Sequence, residues 1–242
     1  MSRFLVVLSV AAVAAAAYGG FVTEPSGHSF GAGVLNYRSG QIAWNAGTPR
    51  STVVYDDTTT VTAGFSQNPS AIIGDDLTLT QGGTLDSVMF SVYNSSTASG
   101  ALMSSTNVIN FYDGQTSQLI GGFSVDLTYG NSGLPQGYYT TITVTDLGSL
   151  NIALPTAILA TQQINSVVGS NKVGQVLADP PAIGSSTDAF YLDNTVAVPP
   201  GTDVGFFNFG GSPVANLYWQ VSIPEPAAFS LLALGGLLVR RR

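Results

Sequence analysis

Between residues 30 and 222 the sequence breaks into short runs in which apolar and polar residues alternate, separated by turn-forming residues. In an extended chain successive side chains point to opposite faces, so such runs bury one face and leave the other polar. The run 84–93 places Val88, Phe90 and Val92 on one face with Ser87 and Ser91 between them, and the run 139–145 alternates Ile142 and Val144 with threonines. Further runs of this kind cover 52–55, 58–65, 76–80, 108–112, 122–129, 151–157, 173–178, 189–192, 203–209 and 214–222. Between them stand Gly82-Gly83, Asp113-Gly114, Gly130-Asn131, Pro199-Pro200-Gly201 and Gly210-Gly211, residues suited to tight turns. About twelve short strands spaced this closely predict an all-β domain over 34–222, folded as a two-sheet β-sandwich or jelly roll. A membrane barrel needs strands of about ten residues with a lipid-facing apolar surface, and most of these runs are shorter. The run 158–168 is open to a second reading as a short helix, because Ile158, Gln162 and Asn165 do not fit strand alternation.

The two ends are of a different kind. Ser2-Arg3 supplies a positive start, Phe4 to Val13 an apolar stretch, and Ala14 to Ala17 the small residues a signal peptidase requires. Residues 1–17 therefore read as a secretory signal helix, with Ala15 and Ala17 at the cleavage site. About 14 apolar residues at 1.5 Å each reach roughly 21 Å, short of the ~30 Å hydrocarbon core, which argues against a permanent anchor. Residues 18–33 are rich in Gly and Ser and are expected to form a flexible lead-in. At the other end Val221-Ser222-Ile223 leads into Pro224-Glu225-Pro226, a small and apolar run over 227–239, and Arg240-Arg241-Arg242. The prolines hold the strip extended and remove backbone donors, the run suits a short hydrophobic helix inserted transiently in a bilayer, and the arginines form a stop on the cytoplasmic side.

In order and spacing, residues 223–242 resemble a PEP-CTERM sorting tail, which the family pairs with an N-terminal signal peptide. The resemblance implies export through the inner membrane, temporary tethering, and processing at Pro224, Glu225 and Pro226 by an exosortase, a membrane cysteine transpeptidase of bacteria that make exopolysaccharide. It covers about 20 of the 242 residues and implies no activity for the rest, because such tails stand on many unrelated domains. Ala227-Ala228 departs from the family in occupying positions where small hydroxyl residues are frequent. The segments 73–79, 84–93 and 210–219 are also similar to a recurring β-sandwich found ahead of such tails, which implies a fold without an activity.

Charge and residue counts narrow the chemistry. Between the two ends stand three basic residues, Arg38, Arg50 and Lys172, against thirteen acids from Glu24 to Asp203, a net of −10. Affinity for nucleic acid comes largely from Lys and Arg neutralising phosphates, so a nucleic-acid partner is not expected. The chain has no cysteine, and its one histidine, His28, lies in the Gly/Ser-rich lead-in, so neither a nucleophilic triad nor a zinc centre is expected. Glycoside hydrolysis needs two carboxylates a few ångströms apart, and the only glutamates are Glu24 and Glu225, so the body is expected to be non-catalytic.

Two binding chemistries stay open. Asp75, Asp76 and Asp193 are candidate calcium ligands, since hard oxygen donors often fix a loop in secreted β-domains, although no EF-hand spacing is present. Adjacent aromatic pairs, Tyr138-Tyr139, Phe190-Tyr191, Phe206-Phe207 and Tyr218-Trp219, should each turn one ring out of the sheet. Tyr191 and Trp219 are the candidates for stacking on a sugar. The hydroxyls of 95–97 and 104–106 are candidate sites for O-linked sugars. Taken together, the expected protein is an exported surface or extracellular-matrix component with a structural or interaction role beside extracellular polysaccharide. A secreted carbohydrate-binding module is the alternative.

Overall fold

A computed structural model describes residues 29–44, 51–98, 100–178, 180–210 and 215–225. The expected signal segment with Ala15 and Ala17, together with Pro226, the run 227–239 and Arg240, Arg241 and Arg242, lies outside these residues.

The alternation is realised as strands. In chain order these are β1 Ser29–Asn36, β2 Gln41–Trp44, β3 Thr52–Asp56, β4 Val61–Gln67, β5 Ile72–Thr78 and β6 Gly83–Thr84. There follow β7 Ser87–Tyr93, β8 Ser104–Asp113, β9 Leu119–Thr128, β10 Tyr139–Thr145, β11 Ala153–Leu154 and β12 Ala157–Val168. The last are β13 Val173–Ala178, β14 Ser185–Asp193, β15 Val204–Asn208, β16 Asn216–Leu217 and β17 Trp219–Ile223. A six-stranded antiparallel sheet has the order β15-β14-β5-β12-β8-β9, and β11 and β6 form a small ribbon. A nine-stranded sheet runs β2-β1-β10-β7 and forks beyond β7, where β17 continues to β3 and β13 continues to β4, with β16 beside β13.

The two large sheets share one hydrophobic core, which makes the fold all-β and β-sandwich-like. Phe90, Val92, Ile142, Val144 and Trp219 enter it from the nine-stranded sheet, and Ile73, Leu77, Ile109, Phe111 and Phe190 from the six-stranded one. A buried polar seam crosses this core. Gln162 donates through Nε2 to the Ser91 carbonyl at 3.3 Å and to Asn107 Oδ1 at 2.8 Å. Asn107 in turn donates to Ser105 Oγ at 3.0 Å, and Ser105 shares a 2.7 Å hydrogen bond with the Tyr129 hydroxyl. Buried polar groups are costly unless bonded, so these side chains bind each other.

That seam corrects the helical reading of 158–168. The segment is the 12-residue strand β12, with Ile158, Ala160, Gln162 and Ile164 all facing inward. Gln162 breaks the apolar pattern because it serves the seam, while the strand alternation itself is intact. A second correction concerns the lead-in: β1 begins at Ser29 and pairs in parallel with β10, so the sheet takes in residues that composition assigned to flexible chain. Gly and Ser are compatible with a strand when a neighbour supplies the ladder, as β10 does here. The threonines of β10, which β1 and β7 flank, are buried as well.

Ser29 pairs with Tyr139, which pairs with Tyr93 at one end of β7, whereas Ser222 pairs with Ser87 at the other end. Ser29 and Ser222 therefore lie level with opposite ends of β7.

Candidate functional site

The outer face of the six-stranded sheet carries the side chains that the core does not use. Along β14, Phe190 and Leu192 turn inward and are buried, which by strand alternation turns Tyr191 and Asp193 outward. Along β15, Phe207 packs on the core and Phe206, 60% exposed, points away from it. Tyr191 and Phe206 stand directly opposite in register, and their rings meet edge to face with centroids 5.5 Å apart. On the next strand Gly74 stands opposite Tyr191, and beyond it is Thr161. A Cβ at Gly74 would lie 2.6 Å from Thr161 Cγ2 and 2.7 Å from the Ala160 carbonyl oxygen, so only glycine fits there.

Tyr112 on β8 turns to the same face, since its neighbour Phe111 is wholly buried in the core. The Tyr191 hydroxyl is pushed to higher pKa by partial burial first, then by the charge of Asp193 and by the Tyr112 phenol. Carboxylates on this face are braced by threonines. Asp76 Oδ1 accepts from the Thr187 N–H at 3.2 Å and its hydroxyl at 2.9 Å, and Asp193 Oδ1 accepts from the Thr195 N–H at 3.0 Å and its hydroxyl at 2.6 Å. The described cations are elsewhere: Arg38 is in the turn after β1, 3.5 Å from Asp146, and Lys172 is in the turn before β13.

The chain matches no protein-family model, no curated protein and no solved structure.

Of the two residues expected to stack on a sugar, Tyr191 is on the outer face and Trp219 is not. Trp219 is completely buried and packs at 6.3 Å on Phe90, which corrects its assignment. Its neighbour Tyr218 faces the other side of the nine-stranded sheet but is closed in by Tyr93, Val176 and Ala178. The Tyr218 hydroxyl donates to Met89 Sδ at 3.8 Å, and burial pushes its pKa up to about 12. The rule of one ring in and one ring out thus holds for 190–191 and 206–207, and at 218–219 the outward ring is covered. Phe206 and Tyr112 join the site without having been singled out by the sequence. The pair rule already pointed to one exposed ring at 206–207, whereas Tyr112 carries no such signal.

The three candidate calcium ligands do not come together. Asp75 faces the core and is fully buried, accepting from Ser186 Oγ at 2.9 Å and from the Leu217 N–H at 2.8 Å. Burial raises its pKa well above the ordinary carboxylate value, although those two donors oppose the shift. Asp76 follows on the opposite face. Asp193 pairs with Ile72, four residues along β5 from Asp76, or about 13 Å. Among the described residues no group of three or more His, Cys, Asp or Glu side chains gathers where a metal would sit.

Tyr55 and Asp57 are buried near Asp75, and burial followed by the charges of Asp75 and Asp57 raises the Tyr55 pKa. These carboxylates are enclosed in protein and present no surface to a substrate. Several hydroxyls offered as O-glycosylation sites are also enclosed: Ser95, Ser96 and Ser105 are buried, and Ser96 donates to Asn171 Oδ1 at 2.7 Å.

At the far end of β17, Pro224 and Glu225 are exposed and outside any strand. Among the described residues no helix is long and apolar enough to cross a membrane.

Proposed function

We propose that this is an exported bacterial surface or extracellular-matrix protein, processed by a signal peptidase and then by an exosortase at Pro224-Glu225-Pro226. Its body, of the two-sheet sandwich or jelly-roll class, has a non-catalytic interaction role beside extracellular polysaccharide. The observation that carries this reading is the placement of Pro224 and Glu225. They follow β17 directly, are exposed and stand outside any strand. A membrane transpeptidase needs a strip that it can reach without unfolding the domain, and Pro224 has no backbone N–H with which to continue the ladder of β17. Glu225→Ala is expected to block processing and hold full-length protein in the membrane fraction, read by fractionation and intact mass. Normal release of this variant would end the sorting proposal. The exposed Phe206 ring and the half-buried Tyr191 ring beside it favour, within this role, a body that binds carbohydrate.

A further inference from the structure

We infer that the outer face of the six-stranded sheet binds an uncharged polysaccharide, whose sugar rings lie across Phe206, Tyr191 and Tyr112. The inference rests on the polysaccharide-associated role above and gives that role a surface and a ligand class.

Three features of the face select this occupant. The first is the combination of rings with braced acceptors. Sugars present apolar C–H faces and a rim of hydroxyl donors, which match aromatic faces flanked by the carboxylates of Asp76 and Asp193. Both carboxylates are held by threonine hydrogen bonds, so little freedom is lost when a hydroxyl docks. The second is extent. From β15 to β8 there are four strand steps, about 19 Å, which suits a chain of several sugars rather than a single one.

The third feature is charge. The face presents Asp76, Asp126 and Asp193, while the described cations stand in turns away from it. A uronate-rich or phosphorylated polymer would be repelled, as would an anionic membrane surface. A second copy of this chain laid on the same face would bring like carboxylates together in a closed interface, which is costly. An uncharged glycan meets none of these penalties.

The test uses the full chain in affinity electrophoresis through gels containing hydroxyethyl cellulose, xylan or galactomannan as uncharged polymers, and alginate as the acidic one. Retardation by at least one uncharged polymer and none by alginate is expected. Tyr191→Ala and Phe206→Ala should each weaken that retardation about tenfold, with unchanged melting temperature, and Tyr191→Trp should preserve it. Retardation by none of the uncharged polymers, retention by alginate alone, or binding indifferent to both alanine variants would overturn the proposal. So would a dimer in sedimentation that Phe206→Ala dissociates, because the face would then be occupied by a second copy. Failure here with Glu225-dependent processing intact would remove the glycan site and leave the sorting proposal standing.

Discussion

The two large sheets treat their outer faces differently. On the nine-stranded sheet, Tyr93, Val176, Ala178 and Tyr218 close over that face as a second small cluster, with Val61, Met89 and Tyr139 packed against it. On the six-stranded sheet the corresponding face keeps Phe206 and Val204 60% and 55% exposed, and Tyr191 only partly covered. Aromatic residues are present on both, so composition does not separate them. What separates them is neighbours on the face itself: Tyr218 is walled by Tyr93, Val176 and Ala178, whereas Phe206 is on the edge strand β15 and Tyr191 stands opposite Gly74, which has no side chain. Exposed rings at an edge cost solvation without stabilising the fold, which is why that face is the candidate site.

Substitutions can break or sharpen this contrast. The largest effect is expected at Trp219→Ala, which empties the core side of the nine-stranded sheet and should cost about 3–5 kcal/mol in denaturant unfolding. A loss under about 1 kcal/mol would mean that Trp219 is not the packed residue described here. Next comes Gly174→Ala on β13, where a Cβ would run into the Phe65 carbonyl oxygen in the neighbouring strand. Overpacking of that kind should cost about 1–3 kcal/mol and is checked by the same unfolding curves.

The adjacent acids Asp75 and Asp76 compare the inside and outside of a single strand. The folded pKa of Asp75 is raised above its model-peptide value of 3.8, so above that pH the native state holds more protons than the unfolded chain. Its contribution to stability therefore falls as pH rises from about 4 through the folded pKa. Asp75→Asn can keep the bond from the Leu217 N–H and removes the buried charge. It should stabilise the fold at pH 8 by on the order of 1 kcal/mol, read as a higher melting temperature, with little change at pH 4. Identical pH profiles for this variant and the wild type would show that Asp75 ionises as an ordinary carboxylate. The smallest effect is expected at Phe206→Ala, within about 0.5 kcal/mol of wild type, since a ring so exposed supports little of the core. A loss comparable to that of Trp219→Ala would erase the distinction between the two faces.

Much of the fold was legible in the residues. The run 84–93 became a strand over 87–93 and the run 139–145 one over those same residues, because period-two burial is a local property of an extended chain. The run 158–168 was ambiguous because Gln162 is an inward polar residue whose partners, Ser91 and Asn107, are far away in sequence. The strand at 29–36 was missed for a related reason: its stability comes from pairing with β10, more than a hundred residues later. At the candidate site, local alternation was enough to turn Tyr191 outward. It failed for Trp219, since whether an outward or inward ring meets solvent depends on what lies across the sheet.

Local sequence thus determined that the chain would be β throughout its body, that one member of each aromatic pair would turn from the other, and that the acids would far outnumber the cations. Those properties follow from side-chain alternation and from charge, which need no partner. Only the tertiary structure decided that Asp75 is buried while Asp76 is on the outer face, that Tyr218 is covered while Phe206 stands in solvent, and that Pro224 and Glu225 are exposed directly after a core strand. Each of these depends on which strands become neighbours, and the ladder and core contacts that choose them join residues distant in the chain.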